Sequence, residues 1–126
     1  MIKFSTTWKT SVKPKKQRKY RDKAPLHIKG KLLNAHLSSQ LSKKHGKRTL
    51  RVIKGDKVKV MKGQFKDKTG KIEQVILKKG KVYIEGVEIQ KKDGTKTKYP
   101  ISPNNIMITE LNLTDKKRQE KLKRKQ

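Results

Sequence analysis

The sequence contains no cysteine. That excludes a disulfide scaffold, a thiolate nucleophile and a sulfur-based zinc site. Carboxylates are scarce: the 126 residues carry 10 Asp and Glu against 37 Lys and Arg, a formal net charge of +27. Hydrophobic residues make up 30%, against about 45–50% in an ordinary globular domain, so a packed core can extend over only part of the chain. No apolar run approaches the roughly 18 residues of a membrane span, and the stretch from Met1 to Lys13 lacks the apolar region of a secretory signal. Even the basic residues are unequal, with 31 Lys and only 6 Arg.

What is present in excess is positive charge. A small soluble domain carries a net charge of about 2–8, and a free chain at +27 repels itself. Only a dense polyanion neutralises it well. Lysine meets phosphate oxygens as a compact point charge, whereas arginine is the better reader of base edges. The lysine excess therefore favours binding by backbone and shape over sequence readout. There is no phosphate-cradling loop of the Walker type and no spacing that suggests a catalytic triad. The reading is of a protein that is not an enzyme, with no cofactor, no small-molecule substrate and no membrane.

Charge divides the chain into three. Residues 1–51 hold 16 basic residues and one acidic, net +15; residues 52–112 hold 14 and seven, net +7; residues 113–126 hold seven and two, net +5. The first third is expected to be a basic extension with short helices. Leu26, Leu33 and Leu37 fall near helical spacing, with Ile28 and Leu32 beside them, and Ala24-Pro25-Leu26 marks a turn. Ser38 or Ser39 is placed to cap a short helix through Leu41 to His45, with Gly46 ending it. The middle third, residues 52–112, reads as a small barrel. Asp56 to Val60 alternates as a half-buried strand. Ile72 to Leu77 changes parity, which suggests a bulge. Lys78 to Lys81 makes a turn, Val82 to Glu85 and Val87 to Ile89 alternate again, and Asp93-Gly94 is a hairpin signal. Tyr99 to Ile101 and Ile106 to Ile108 supply the last strands. In the tail of residues 113–126, Asp115 to Gln126 is a basic helix candidate whose last six residues, Lys121 to Gln126, are expected to fray.

One motif carries chemistry. Residues 54–72 read Lys-Gly-Asp-Lys-Val-Lys-Val-Met-Lys-Gly-Gln-Phe-Lys-Asp-Lys-Thr-Gly-Lys-Ile. Val58 and Val60 point inward, Gly63 permits positive φ, and the loop from Gln64 to Thr69 carries Lys66 and Lys68 outward. This segment resembles the KOW motif of ribosomal proteins and transcription elongation factors. Its flanks narrow the resemblance: Ala24-Pro25-Leu26-His27, Lys31 to Ser38 and Leu41 to Arg48 before it, and Tyr99 to Ile108 with Leu111-Asn112-Leu113 after it. Over roughly residues 13 to 122 the chain resembles the large-subunit ribosomal proteins of family twenty-four in their archaeal and eukaryotic form. Two features depart from the family pattern: Asp67 stands where most relatives have Gly, and Met1 to Val12, with Phe4 and Trp8, match no part of it. Asp tolerates left-handed backbone better than most residues, but a carboxylate there weakens a phosphate contact.

The resemblance implies a mainly β fold, a small SH3-like barrel with a basic N-terminal extension and a C-terminal helix. It implies a structural constituent of the cytoplasmic ribosome that binds large-subunit rRNA near its 5′ end, helps initiate subunit assembly and lies near the nascent-chain tunnel exit. Neighbouring large-subunit proteins are expected partners, with nascent-chain factors a further one. The residues expected to contact rRNA are Lys13, Lys15, Lys16, Arg18, Lys19, Arg21, Lys23, His27, Lys31, His36, Lys43, Lys44, His45, Lys47, Arg48, Arg51 and Lys54. With them go Lys62, Lys66, Lys68, Lys71, Asn104 and Asn105. His27, His36 and His45 recur every nine residues, which is not a zinc-ligand pattern; they pack locally or touch RNA. Phe4, Trp8 and Tyr20 either stack on unpaired bases or pack against protein. The competing reading is a KOW-type transcription elongation factor domain, and behind it a histone-like DNA compactor or a membrane-active cationic peptide.

Overall fold

The computed structural model describes residues 4–124. Among these, a 3₁₀ turn at Thr6–Thr10 leads into helices α1 (Pro14–Lys23) and α2 (Leu26–Lys31). Strand β1 (Asn34–Leu37), helix α3 (Ser39–His45) and strands β2 (Thr49–Arg51), β3 (Lys57–Val60), β4 (Thr69–Ile76) and β5 (Lys81–Ile84) follow. The hairpin β6 (Glu88–Gln90) and β7 (Lys96–Lys98), a 3₁₀ turn at Pro103–Asn105, strand β8 (Ile106–Glu110) and helix α4 (Lys116–Lys123) complete the order.

Six strands form one sheet in the order β2-β1-β8-β3-β4-β5. Beyond β5, Ile101 and Val82 exchange backbone hydrogen bonds of 2.9 Å, and the chain then turns through Pro103–Asn105 into β8. The circuit β8-β3-β4-β5 is thereby closed by the chain itself, which gives the expected small barrel. Alternation does most of the sorting. Val58 and Val60, Val82 and Ile84, and Ile106 and Ile108 are buried while the residues between them are only half-buried, and burial of each such side chain contributes about 1.5–3 kcal/mol. The parity change in β4 is a bulge, since the register with β5 shifts between Ile72 and Gln74. Gly70 belongs to the close approach of strands: a Cβ there would collide with the backbone carbonyl of Glu85.

Two expectations are corrected. The leucines from Leu26 to Leu37 do not continue one helical stripe. Helix α2 ends at Lys31, and Leu33, Ala35 and Leu37 then bury alternately as β1 enters the sheet between antiparallel β2 and parallel β8. The short spacing fits both periods, and pairing with β8 decides it. The C-terminus is also held more firmly than fraying implies, because Leu122 is buried in the main core; Lys125 and Gln126 lie outside the described residues. The helix signals hold. The Ser38 hydroxyl accepts from the Leu41 amide at 3.4 Å, Gly46 closes α3 at φ 66°, and the Asp115 carboxylate caps α4 through the Lys117 amide at 3.1 Å.

Asp56 is wholly buried and Arg118 of α4 reaches it. Nη1 and Nη2 donate to its two carboxylate oxygens at 2.6 and 2.7 Å. Removing one partner of such a pair strands a buried charge, at a cost of about 3–5 kcal/mol. Arg118→Met is accordingly expected to lower unfolding stability by about that amount in urea titration. Asp56→Asn in the same background should recover part of the loss, because the unpaired buried charge is removed while the side-chain oxygen still accepts one backbone hydrogen bond. Val60→Asp, which buries a charge with no partner, is expected to leave no cooperative unfolding transition.

Candidate nucleic-acid interface

Pro14 occupies the first turn of α1, where its fixed φ suits helix initiation and no amide is missed. The extended backbone of Ala24 before Pro25 ends the helix. Between them Lys15, Lys16, Arg18, Arg21 and Lys23 are exposed, Lys13 precedes them exposed, and Lys19 is half-buried. No residue of α1 is buried. The helix packs on the preceding 3₁₀ turn, to which Gln17 ties it: its side-chain amide lies 3.3, 3.0 and 2.8 Å from the carbonyls of Trp8, Lys9 and Ser11. The three aromatics of this region pack on one another. The Phe4 ring lies 6.2 Å edge-on from Trp8 and 5.3 Å from Tyr20. The first residues therefore form a small knot around α1 that presents its charges outward.

Further along, His27 and Lys31 are exposed on α2, and His36 is exposed on β1 opposite Thr49 and Met107. Lys43 and Lys44 are exposed in the last turn of α3, His45 is half-buried, and Arg48 is exposed just beyond. Arg51 pairs across from Asn34 and lays its guanidinium against α2, where a Cβ on Gly30 would sit 2.8 Å from its Cζ. Lys47 differs from its neighbours: it is buried, and its ammonium donates to the Lys121 carbonyl of α4.

On the barrel, Lys54, Lys62, Lys66, Lys68 and Lys71 are exposed. The motif loop is anchored by buried Phe65, whose ring lies 5.0 Å from that of Tyr99, with the Lys68 ammonium 5.0 Å from its face. Asp67 takes φ 70°, the one left-handed non-glycine among the described residues. Its amide donates to the Val60 carbonyl at 2.8 Å and its carboxylate meets Lys59 at 3.6 Å. Asn104 is exposed; Asn105 is half-buried and its carbonyl accepts from the Met61 amide at 2.8 Å, so it positions the loop.

Two other barrel cations are already partnered. Lys57 meets Glu110 at 3.3 Å, and Lys98 meets Glu73 at 2.6 Å; hydrogen bonding and attraction from Glu73 hold the Lys98 ammonium above its usual pKa. In the β6–β7 turn, the Thr95 hydroxyl and amide hold the Asp93 carboxyl below its usual range. Among the described residues, no group of three or more His, Asp or Glu is placed to hold a metal, and no helix is long and apolar enough to cross a membrane. Four lysines that sequence reading passed over as turn or spacer residues, Lys29, Lys78, Lys79 and Lys81, gather beside Arg21 and Asn104. The run Lys78-Lys79-Gly80-Lys81 was the signal: three cations on a turn that the fold brings back against α2.

The chain's similarities agree with this charge distribution. Residues 11–125 match the ribosomal-protein family that comprises eukaryotic L26 and its archaeal L24-type counterpart. The match begins at residue 11, so it takes in only the last two residues of the Met1 to Val12 segment that carries no family pattern. Three relatives, each named "Large ribosomal subunit protein uL24", come from Methanocella arvoryzae, Methanospirillum hungatei and Methanosarcina barkeri. The first is 49% identical over 116 residues, 92% of this chain and 94% of its own. The second is 46% identical over 112 residues, covering 89% and 93%. The third is 46% identical over 114 residues, covering 90% and 98%.

Asp67→Gly is expected to change stability by less than about 1 kcal/mol, since relief of the left-handed backbone is offset by unfolded-chain entropy and the ion pair lost is exposed. RNA affinity should rise about two- to threefold in filter binding, the effect of one charge at roughly 8 Å in water.

Proposed function

Because the chain belongs to the ribosomal-protein family of eukaryotic L26 and its archaeal counterpart, we propose that it is a structural, non-enzymatic constituent of the large ribosomal subunit that binds the subunit's rRNA. Its place is then the ribosome, in the cytoplasm. The observation that carries the RNA-binding reading is the arm: residues 4–23 contain no buried side chain, and the first 51 residues hold one acidic residue against 16 basic. Such a surface gains little from solvent or protein neighbours and much from releasing counterions condensed on RNA.

In this mechanism the barrel seats against folded rRNA and the arm lies along phosphates. Lys13, Lys15, Lys16, Arg18, Lys19, Arg21 and Lys23 track the backbone from α1. His27, Lys31, His36, Lys43, Lys44, His45, Arg48 and Arg51 extend the contact across α2, β1, α3 and β2. Lys54, Lys62, Lys66, Lys68 and Lys71 add the motif loop and its strands, and Asn104 donates to phosphate or sugar. Lys47 acts from behind by fixing α4. The finer expectation, carried by the family resemblance, is a site near the 5′ end of the rRNA, a part in starting assembly, and a position near the tunnel exit beside other large-subunit proteins and nascent-chain factors. The match over residues 11–125 includes the arm and tail as well as the motif, which favours this reading over an elongation factor domain that would share the motif alone.

Binding to a 5′ fragment of the large-subunit rRNA should weaken steeply with salt, with a log-log slope of about −0.7 to −0.9 per phosphate neutralised. A salt-insensitive complex, or equal affinity for duplex DNA, would contradict the reading. Deleting residues 1–23 removes nine basic residues and one acidic. It should weaken binding and flatten the slope while the circular dichroism of the barrel persists; loss of that signal would make the arm structural.

A further inference from the structure

A cleft of about 420 Å³ lies where α1 and α2 meet the β4–β5 turn. Its rim is cationic: Arg21, Lys29, Lys78, Lys79 and Lys81. Its wall is aliphatic: Leu32, Leu33, Leu77 and Pro103. No carboxylate lines it. The Lys29 ammonium donates to the Lys78 carbonyl at 3.5 Å across the cleft and ties the arm to the turn. Leu32 is 46% exposed although its neighbour Leu33 is buried, so it offers apolar surface to the cleft without a partner. A larger cleft of about 860 Å³ between β2, β4 and α4 differs in kind, because Glu73 and Asp115 line it and Glu73 already holds Lys98.

The combination of a basic rim and an aliphatic wall selects its occupant. A duplex carries its phosphates on the outside and buries its bases, so it can neutralise the rim but cannot fill the wall. An unpaired nucleotide splayed out of a folded RNA presents a charged backbone and an apolar face together, and a cleft of this size matches the lower end of small-ligand sites. We propose that the cleft receives one unpaired, extruded nucleotide of the bound RNA, its flanking phosphates on Lys29, Lys78, Lys79, Lys81 and Arg21 and its base or ribose against Leu32, Leu77 and Pro103. The cleft holds no aromatic platform, so the site reads the extrusion rather than the identity of the base. The inference rests on the proposed rRNA binding and adds an element of shape recognition to it: the protein prefers folded RNA with a bulged or looped nucleotide at this place over any duplex of equal charge.

The test is nucleotide-resolved chemical probing of the 5′ part of the large-subunit rRNA with the full chain and three variants. Lys78→Ala/Lys79→Ala removes two of the rim's five cations, Leu32→Trp fills the cleft without changing charge, and Lys91→Ala/Lys92→Ala removes the same charge from the β6–β7 turn. The expected result is one unpaired nucleotide that the wild type and the Lys91/Lys92 variant protect. Both cleft variants should leave it as reactive as in free RNA. The rim variant should lose roughly tenfold in affinity, well beyond its charge-matched control, since only the latter loss is that of general phosphate attraction. Equal losses in the two double variants with an unchanged footprint overturn the inference while leaving rRNA binding intact. A wild-type chain that protects no nucleotide overturns the rRNA reading and this inference with it.

Discussion

The buried pair of Asp56 and Arg118 is the interaction on which the rest of the structure depends. Asp56 lies between β2 and β3, and its carboxylate accepts from the Ile53 amide at 3.2 Å and the Asn112 amide at 2.9 Å besides the two guanidinium nitrogens. Arg118 spends its remaining reach on the carbonyls of Asn112, at 2.8 Å, and Arg51, at 3.1 Å. One contact thus gathers the end of β2, the start of β3, the exit from β8 and helix α4. A buried ion pair repays its desolvation only when its remaining donors and acceptors are satisfied, and here nearly all are. In a chain of net charge +27, a carboxylate at this point also fixes where one of the tail's cations must go.

With the interior settled, the surplus charge is displaced to the surface unevenly. On the barrel, Lys57, Lys59 and Lys98 each meet a carboxylate. Along the arm, Asp22 meets only its neighbour Lys23, and Lys15, Lys16, Arg18 and Arg21 of α1 are exposed without a carboxylate partner among the described residues. A polyanion therefore gains most by engaging the arm, the motif loop and the cleft beside the β4–β5 turn, and least by covering the ion-paired face. The barrel behaves as a nearly self-sufficient body that carries a charged arm.

Much of this was legible in the residues. Strict alternation in β3, β5 and β8 gave the barrel, Ser38 and Gly46 gave both ends of α3, and the parity change after Ile72 gave the bulge. Asp67 holds the turn in left-handed backbone, as its tolerance of that geometry suggested. The misses share a physical cause. Asp56 read as an ordinary polar strand start, because nothing local announces that a residue 62 positions later will bury it. Leu33 to Leu37 satisfied two periods at once, and only pairing with β8 chose between them. Lys47 looked like one more surface cation until α4 folded over it. Lys29 stands 49 residues before Lys78, so the convergence of the cleft lysines is a property of the fold alone. Long-range pairing is what a single sequence conceals.

Sedimentation of a lysate through a sucrose gradient, with this chain followed by antibody, tests the central claim most directly. An integral constituent peaks with the large subunit and with translating ribosomes, in amounts matching other large-subunit proteins. A chain found free at the top of the gradient, or travelling with RNA polymerase, would contradict it.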